Sequence, residues 1–171
     1  MTSPGEPVAF EIRTVTLDDL EPLVDIYLDT ARHHAAIDPD RYRVPSRDDV
    51  AARLRPRVDG RGPRAEYVAA IVDGLMVGSA TMYIDDLPHP GSMAAQHRVA
   101  EFGVSVLADW RGRGIGRALI EHLERWAADH DADEIMLEVS TANANAIGLY
   151  QAMGYVDTGR TMHKPAPSRA R

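Results

Sequence analysis

Three arginines and three glycines share seven consecutive positions, Arg111-Gly112-Arg113-Gly114-Ile115-Gly116-Arg117. The apolar spacing Ile115, Leu119, Leu123, Trp126 and Ala127 predicts an amphipathic helix that begins inside or just after this run. The first N–H groups of a helix have no partners within it and carry partial positive charge. Glycines let a pyrophosphate approach the backbone closely, and the arginines add positive charge around the same turn. The chemistry implied is anion binding. The run does not complete the better-known phosphate motifs. A G-x-G-x-x-G dinucleotide fingerprint needs Gly at 117, where Arg stands, and the G-x-x-x-x-G-K-[ST] loop is absent. An RNA-binding Arg/Gly tract would be longer. A surface turn rich in Gly and Arg is the plain alternative.

The surrounding sequence supplies elements to hold such a loop. Phe10 to Val15 alternates like a strand. Thr16, with Asp19 three residues on, resembles a capping box before Leu20, Leu23, Val24, Tyr27 and Leu28, which repeat at helical spacing. Asp38-Pro39-Asp40 reads as a turn. Ser46 and Asp49 restart a helix carrying Val50 and Leu54 and ended by Pro56 and Gly60. Glu66 to Val72 and Leu75 to Ile84 read as strands joined by Asp73-Gly74, a strong hairpin signal. A Pro/Gly/His loop follows from Asp85 to Gln96, and its flexibility accounts for His89 and the adjacent His97. Val99 to Leu107 is the strand that runs into the Arg/Gly loop. After the helix, Ile135, Leu137 and Val139 alternate as a strand. Asn143 caps a short helix that ends at Gly154, a suitable residue just past a helix end. Tyr155 to about Met162 reads as one or two closing strands. The order β-α-α-β-β-β-α-β-α-β predicts one α/β domain over residues 1–171, with an ordered core of about 9–163. The sheet is expected to combine antiparallel hairpins with one parallel β-α-β portion.

Bulk properties narrow the function. The 171 residues carry a formal net charge of -7, which argues against wrapping nucleic acid through phosphate contacts. An acidic protein more naturally attracts a cationic partner such as an amine, although net charge is not the charge of a site. The absence of cysteine excludes thiol nucleophiles, disulfides and Cys-based zinc sites. His33-His34 has no third ligand at a helpful spacing, so no metal site is expected. No signal peptide and no apolar run long enough for a membrane span is visible, so the expected setting is cytoplasmic, with no membrane partner.

Two blocks together resemble a family. Val106-Leu107-Ala108-Asp109-Trp110-Arg111-Gly112-Arg113-Gly114-Ile115-Gly116 resembles the (Q/R)-x-x-G-x-(G/A) motif of the GCN5-related N-acetyltransferase (GNAT) superfamily. Asn143-Ala144-Asn145-Ala146-Ile147-Gly148-Leu149-Tyr150, followed by Met153-Gly154-Tyr155, looks like that family's N-x-x-A-x-x-L-Y…G-(F/Y) signature. One helix and one strand separate the blocks, as in the family, and the resemblance covers about Ala100 to Tyr155. The first half matches only in the order of its strands and helices. The resemblance implies a GNAT-type fold: a mixed, mostly antiparallel sheet flanked by helices, with two neighbouring strands splayed around coenzyme A. It implies acetyl-CoA as co-substrate and an amine as acceptor, joined without a covalent enzyme intermediate. Homodimers are common in the family. A non-catalytic acyl-CoA sensor is the alternative of a different class.

The resemblance also assigns residues. Arg111, Gly112, Arg113, Gly114, Ile115, Gly116 and Arg117 would hold the pyrophosphate. Val104 and Val106 would offer backbone groups to the pantetheine arm, and Asn143 would cap its helix and reach the same arm or the phosphates. Tyr150 would be the general acid for the leaving thiolate. An alkylamine with pKa ~10.4 is almost wholly protonated near neutrality, and freeing it costs about 4–5 kcal/mol, so a base is useful. Glu101, five residues before Val106, occupies the position of a base in some protein-acetylating relatives. The plainer readings are a Tyr packed on the sheet, a half-exposed strand Glu and an Asn that only caps. His33, His34 and Tyr42 lie where the family commonly builds its acceptor side, and solvated helix-end histidines are the competing reading.

Overall fold

The computed structural model describes residues 8–87 and 97–159. The chain divides into two compact units between Glu138 and Val139. The first holds a five-stranded sheet whose strands lie in sequence order: β1 (Glu11–Thr14), β2 (Ala65–Val72), β3 (Leu75–Leu87), β4 (His97–Val106) and β5 (Glu134–Met136). The first four pair antiparallel, and β4 pairs parallel with β5. The sheet is therefore mixed and mostly antiparallel, as expected. Three helices accompany it: α1 (Leu20–Ile37), α2 (Arg47–Asp59) and α3 (Ile115–Asp129). The second unit holds α4 (Ala144–Ala152).

Local chemistry explains most of these boundaries. The Asp19 carboxylate accepts from the Thr16 backbone N–H at 2.8 Å, which starts the α1 segment through a one-turn 3-10 helix at Leu17–Asp19. The Ser46 hydroxyl accepts from the Asp49 N–H and starts α2. Asp73 and Gly74 have φ of 48° and 79°, the left-handed pair that a tight hairpin turn needs. A bulge sits just before it: Ala70 pairs with Gly78 but Ile71 with Met76, which leaves Val77 as the extra residue.

Pairing also assigns faces, because directly opposed residues point the same way and alternate along each strand. Tyr67 and Ala69 of β2 join Leu23, Val24, Ile26, Val50 and Leu54 in one core beneath α1 and α2. On the other face α3 buries Ile115, Leu119, Ile120 and Leu123. Gly78 permits that approach: a Cβ there would stand 3.3 Å from Leu119 Cδ1 and from Val106 Cγ2.

Several boundaries differ from expectation. Pro56 does not end α2, which runs on to Asp59. Proline removes one donor and leaves later bonds intact, and the Gly60 N–H still reaches the Pro56 carbonyl at 2.9 Å. β3 and β4 extend to Leu87 and from His97, so His97 lies on a strand, its Nε2 2.9 Å from Glu134. His89 lies outside the described residues. β5 is three residues long, shorter than the alternation through Val139 suggested. Residues 155–159 form no strand, and the rest of the expected closing strand lies outside the described residues.

Candidate functional site

Beyond β4 the chain makes a short turn, with the Trp110 N–H bonded to the Leu107 carbonyl at 2.9 Å. Gly112 and Gly114 then take φ of 74° and 83°, values costly for any residue with a Cβ. Gly114 is the residue before α3, and the first helical bond runs from the Ala118 N–H to its carbonyl at 3.0 Å. No side chain caps this end and no acidic residue stands in the first turn. The leading N–H groups, Gly114 to Arg117, therefore lack partners within the helix. A Cβ built on Gly112 or Gly114 would meet no atom within 4 Å, so the space above them is open. Ile115 is buried and pins the turn from below.

The three arginines of this loop differ in what holds them. Arg111 donates from Nε to the Val106 carbonyl at 2.9 Å and pairs with Asp29 of α1 at 2.6 Å. Arg113 lies over the Trp110 ring at 5.0 Å and donates to the Asp109 carbonyl at 3.2 Å. Arg117 is exposed on the first turn of α3. Asp29 was not legible as part of this loop. The Asp29 contact joins positions 82 apart, and periodicity carries no signal for it.

The strand leading into the loop has one edge only partly used. β4 pairs with β3 along its full length, but its ladder with β5 covers only Val99 to Glu101. The Leu107 N–H bonds the Val77 carbonyl, which fixes the alternation: odd-numbered residues bond to β3. The backbone groups of Val104 and Val106 therefore face away from β3, beyond the end of the parallel ladder. Arg111 already occupies the Val106 carbonyl. Among the described residues, that leaves the Val106 N–H and both groups of Val104 for another partner. Their side chains are half-buried on the α3 face.

Glu101 lies opposite Tyr83 on β3 and next to Met136 on β5. Its carboxylate is exposed on the α1/α2 face of the sheet. His33, His34 and Tyr42 come together at the end of α1, with ring centroids 6.0 Å apart for the two histidines and 5.0 Å for His34 and Tyr42. Burial, helped by the charges of His33 and Arg111, lowers the pKa of His34 and favours its neutral form. Its buried Nδ1 has no hydrogen-bond partner among the described residues.

In the second unit, the Asn143 side chain accepts from the Ala146 N–H at 3.3 Å and caps α4. The other end closes with the Gly154 N–H on the Gln151 carbonyl and the Tyr155 N–H on the Tyr150 carbonyl, both at 3.0 Å, with Gly154 at φ 94°. This is a Schellman closure, and its apolar contact is the Tyr155 ring, set edge-on to Tyr150 at 6.0 Å. The Gly-Tyr pair of the second block thus fixes the end of the helix that bears Tyr150. Burial raises the pKa of the Tyr150 phenol, so its proton stays on through neutral pH.

A cleft of about 570 Å³ opens at the other end of β4, lined by Asp86, His97, Arg98, Asp131 and Asp133. Asp86 holds Arg64 and Arg98, Asp133 accepts from the Arg98 N–H, and His97 meets Glu134. These charges largely satisfy one another, and the cleft is remote from the loop. Among the described residues, no helix is long and apolar enough to cross a membrane.

Comparison with known proteins bears on this arrangement. The model of the Acetyltransferase (GNAT) family matches residues 22–155. A probable N-acetyltransferase family 8 member 5 of Mus musculus is 33% identical over 112 residues, covering 66% of this chain and 46% of that relative. The chain thus spans less than half the length of that curated relative. Among solved structures, a mutant BH1408 protein from Bacillus halodurans superposes with TM-score 0.82 at 21% identity, covering 92% of this chain and 99% of that one. The aminoglycoside N-acetyltransferase AAC(6')-Iy in complex with CoA gives TM-score 0.68 at 20% identity, over 95% and 98% of the two chains. At these identities the superpositions speak for the fold. The family match, which covers both the Arg/Gly loop and the Asn143–Tyr155 block, places this chain in the GNAT family of acetyltransferases.

Proposed function

We propose that this chain transfers an acetyl group from acetyl-CoA to a primary amine by direct attack of the amine on the thioester. The observation that carries the reading is the open start of α3: N–H groups with no partner in the helix and no capping side chain among the described residues, two glycines at positive φ and no acid in the first turn. Such an end suits a pyrophosphate. The family relationship makes coenzyme A the natural owner of that pyrophosphate, and a structural neighbour was solved with CoA. On this reading residues Gly112 to Arg117 hold the pyrophosphate, with Arg111 fixing the loop from beneath. The Val104 and Val106 backbone groups serve the pantetheine amides. The Oδ1 of Asn143 is used by its helix, so the Nδ2 is the group it has for the cofactor.

In the reaction, the amine nitrogen forms a bond to the acetyl carbon and the carbon–sulfur bond breaks. Glu101, directly or through water, takes a proton from the amine, and Tyr150 gives one to the sulfur. The half-buried Tyr150 phenol, its pKa raised by partial desolvation, is protonated at neutral pH and so has a proton to give as the carbon–sulfur bond opens. His33, His34 and Tyr42 form a wall of the acceptor approach, a neutral His34 being compatible with a cationic substrate. The acceptor class is amine, since the relatives are N-acetyltransferases, one of them acting on aminoglycosides. Acetyl-CoA is an intracellular metabolite, which supports a cytoplasmic setting.

The test combines CoA calorimetry with thiol release on a panel of amino acids, aminoglycosides, polyamines and lysine peptides. We expect CoA binding and amine-dependent thiol release. Tyr150→Phe should lower kcat by about 10²-fold, the usual scale for a positioned acid, with CoA affinity nearly intact. Wild-type protein that binds no CoA would sink the reading. Unchanged turnover in Tyr150→Phe would remove the acid role. A pH–rate profile unaltered by Glu101→Gln would remove the base role.

A further inference from the structure

The loop's leading arginine is engaged by the protein itself. Its Nε holds the Val106 carbonyl, and its terminal nitrogen holds the half-buried Asp29 carboxylate, 21% exposed. The guanidinium thus joins three elements: the end of β4, the turn into α3, and α1. We infer that Asp29 is a positioning residue for the acetyl-CoA site, acting through Arg111 to hold the end of β4 and the first turn of α3 at a fixed spacing. The inference rests on the proposed CoA reading and adds a residue and a role to it.

Three physical points support it. First, the loop contains two residues at positive φ and an additional glycine, Gly116, so its backbone loses much freedom on ordering and needs an anchor. Arg111 is that anchor, because its planar fork addresses two acceptors at once. Second, the Val106 carbonyl faces the unpaired edge of β4, where a bare acceptor would confront an approaching polyanion. Arg111 fills it and leaves the donor side of that edge outward. Third, Asp29 neutralises Arg111. A guanidinium meant as a phosphate ligand gains nothing from a carboxylate at 2.6 Å, whereas a strut needs one at each end.

The two roles predict opposite signs for Asp29→Asn. If Arg111 were a phosphate ligand, loss of the neighbouring negative charge would tighten CoA binding. If Arg111 is a strut, the fork loses its charged partner, the loop loosens, and binding weakens. We expect the Kd for CoA to rise about tenfold, the scale of one charge-assisted hydrogen bond in a partly exposed setting. The change should fall on KM for acetyl-CoA and not on kcat. In the CoA-free protein, exchange of the hydrogen-bonded loop amides, Leu107 at the end of β4, Trp110 in the turn and Ala118 at the first bond of α3, should quicken about tenfold while amides of β2 keep their protection. Asp29→Glu should restore part of both effects. Equal or tighter CoA binding in Asp29→Asn, or loop amides that exchange as in wild type, would overturn the inference. The exchange measurement needs no ligand. A wild-type protein that fails to bind CoA therefore removes the proposed function, while loop exchange still decides whether the strut exists.

Discussion

Two helices carry the residues most closely tied to the proposed chemistry, and they begin in opposite ways. α4 is closed at both ends: Asn143 caps its start, and a Schellman turn with Gly154 and Tyr155 closes its finish. None of its residues is buried. α3 starts on a bare glycine, with no capping side chain and no acid in the first turn. Five of its side chains, Ile115, Leu119, Ile120, Leu123 and Ala127, are nearly inaccessible to solvent. A cap is worth about 1 kcal/mol, and burying one aliphatic side chain about 1.5–3 kcal/mol. A helix fixed by its apolar face can forgo the cap and leave its end groups for a ligand. A helix without such a face depends on its caps. Ser46 closes the start of α2 in the same way, and the Thr16–Asp19 pair closes the 3-10 turn that leads into α1, whose own N-cap, Asp19, makes no capping bond to it.

The sharpest way to break this contrast is to close α3 in the manner of the others. Gly114→Asp places a capping carboxylate at a position whose left-handed backbone Asp tolerates better than most residues. The helix should survive, with a melting temperature within a few degrees of wild type, while the carboxylate repels phosphate from the same N–H groups. We expect CoA affinity to fall about 100-fold or more by calorimetry, equivalent to about 2.8 kcal/mol. A Gly114→Asp protein that binds CoA as wild type does would show that the open start is not the anion site.

The next largest effect belongs to a closed start and should appear in stability alone. Asp19 is nearly buried, and its pKa is lowered to about 2, first by the hydrogen bond from Arg13 and then by the Thr16 N–H, against an opposing effect of burial. A lowered carboxylate pKa stabilises the fold above the unfolded value near 4, and that contribution disappears as pH falls through about 2. Asp19→Asn should therefore cost about 2 kcal/mol at pH 7 in urea unfolding, with the difference from wild type shrinking between pH ~4 and ~2. CoA affinity should change little. A large loss of CoA binding without loss of stability would blur the division between structural and ligand-binding helix starts.

What could be read in the sequence follows the range of the interaction. Thr16 with Asp19, Ser46 with Asp49, Asp73-Gly74 and the Asn143–Gly154 span each act within a few residues, and each forms the expected cap, turn or closure. The apolar stripe of α3 was equally plain, because one face of one helix carries it. Pro56 misled because a proline signals a break while its effect depends on how many helical bonds follow it. The tie between Asp29 and Arg111 was invisible for a different reason. Its partners come from separate elements, and an Asp on a half-exposed helix face looks like any solvated charge. Likewise, the alternation of β4 showed a strand but not which of its backbone groups would lack a neighbour. That needed the register with β3 and the early end of the ladder with β5.

The smallest effect divides the two functions that α4 could give its cap. Asn143 uses Oδ1 for the Ala146 N–H, which leaves Nδ2 for the cofactor on the proposed reading. Ser supplies a capping oxygen and no amide nitrogen; Ala supplies neither. Asn143→Ala should cost the local helix about 1 kcal/mol, seen as faster amide exchange at Ala146 and Ile147, whereas Asn143→Ser should keep most of that protection. If Nδ2 serves coenzyme A, KM for acetyl-CoA should rise about threefold in both variants, a modest loss expected of one exposed neutral hydrogen bond. If Asn143→Ser keeps the wild-type KM, the residue is a cap alone. The start of α4 would then be purely structural, and the contrast with α3 would be complete.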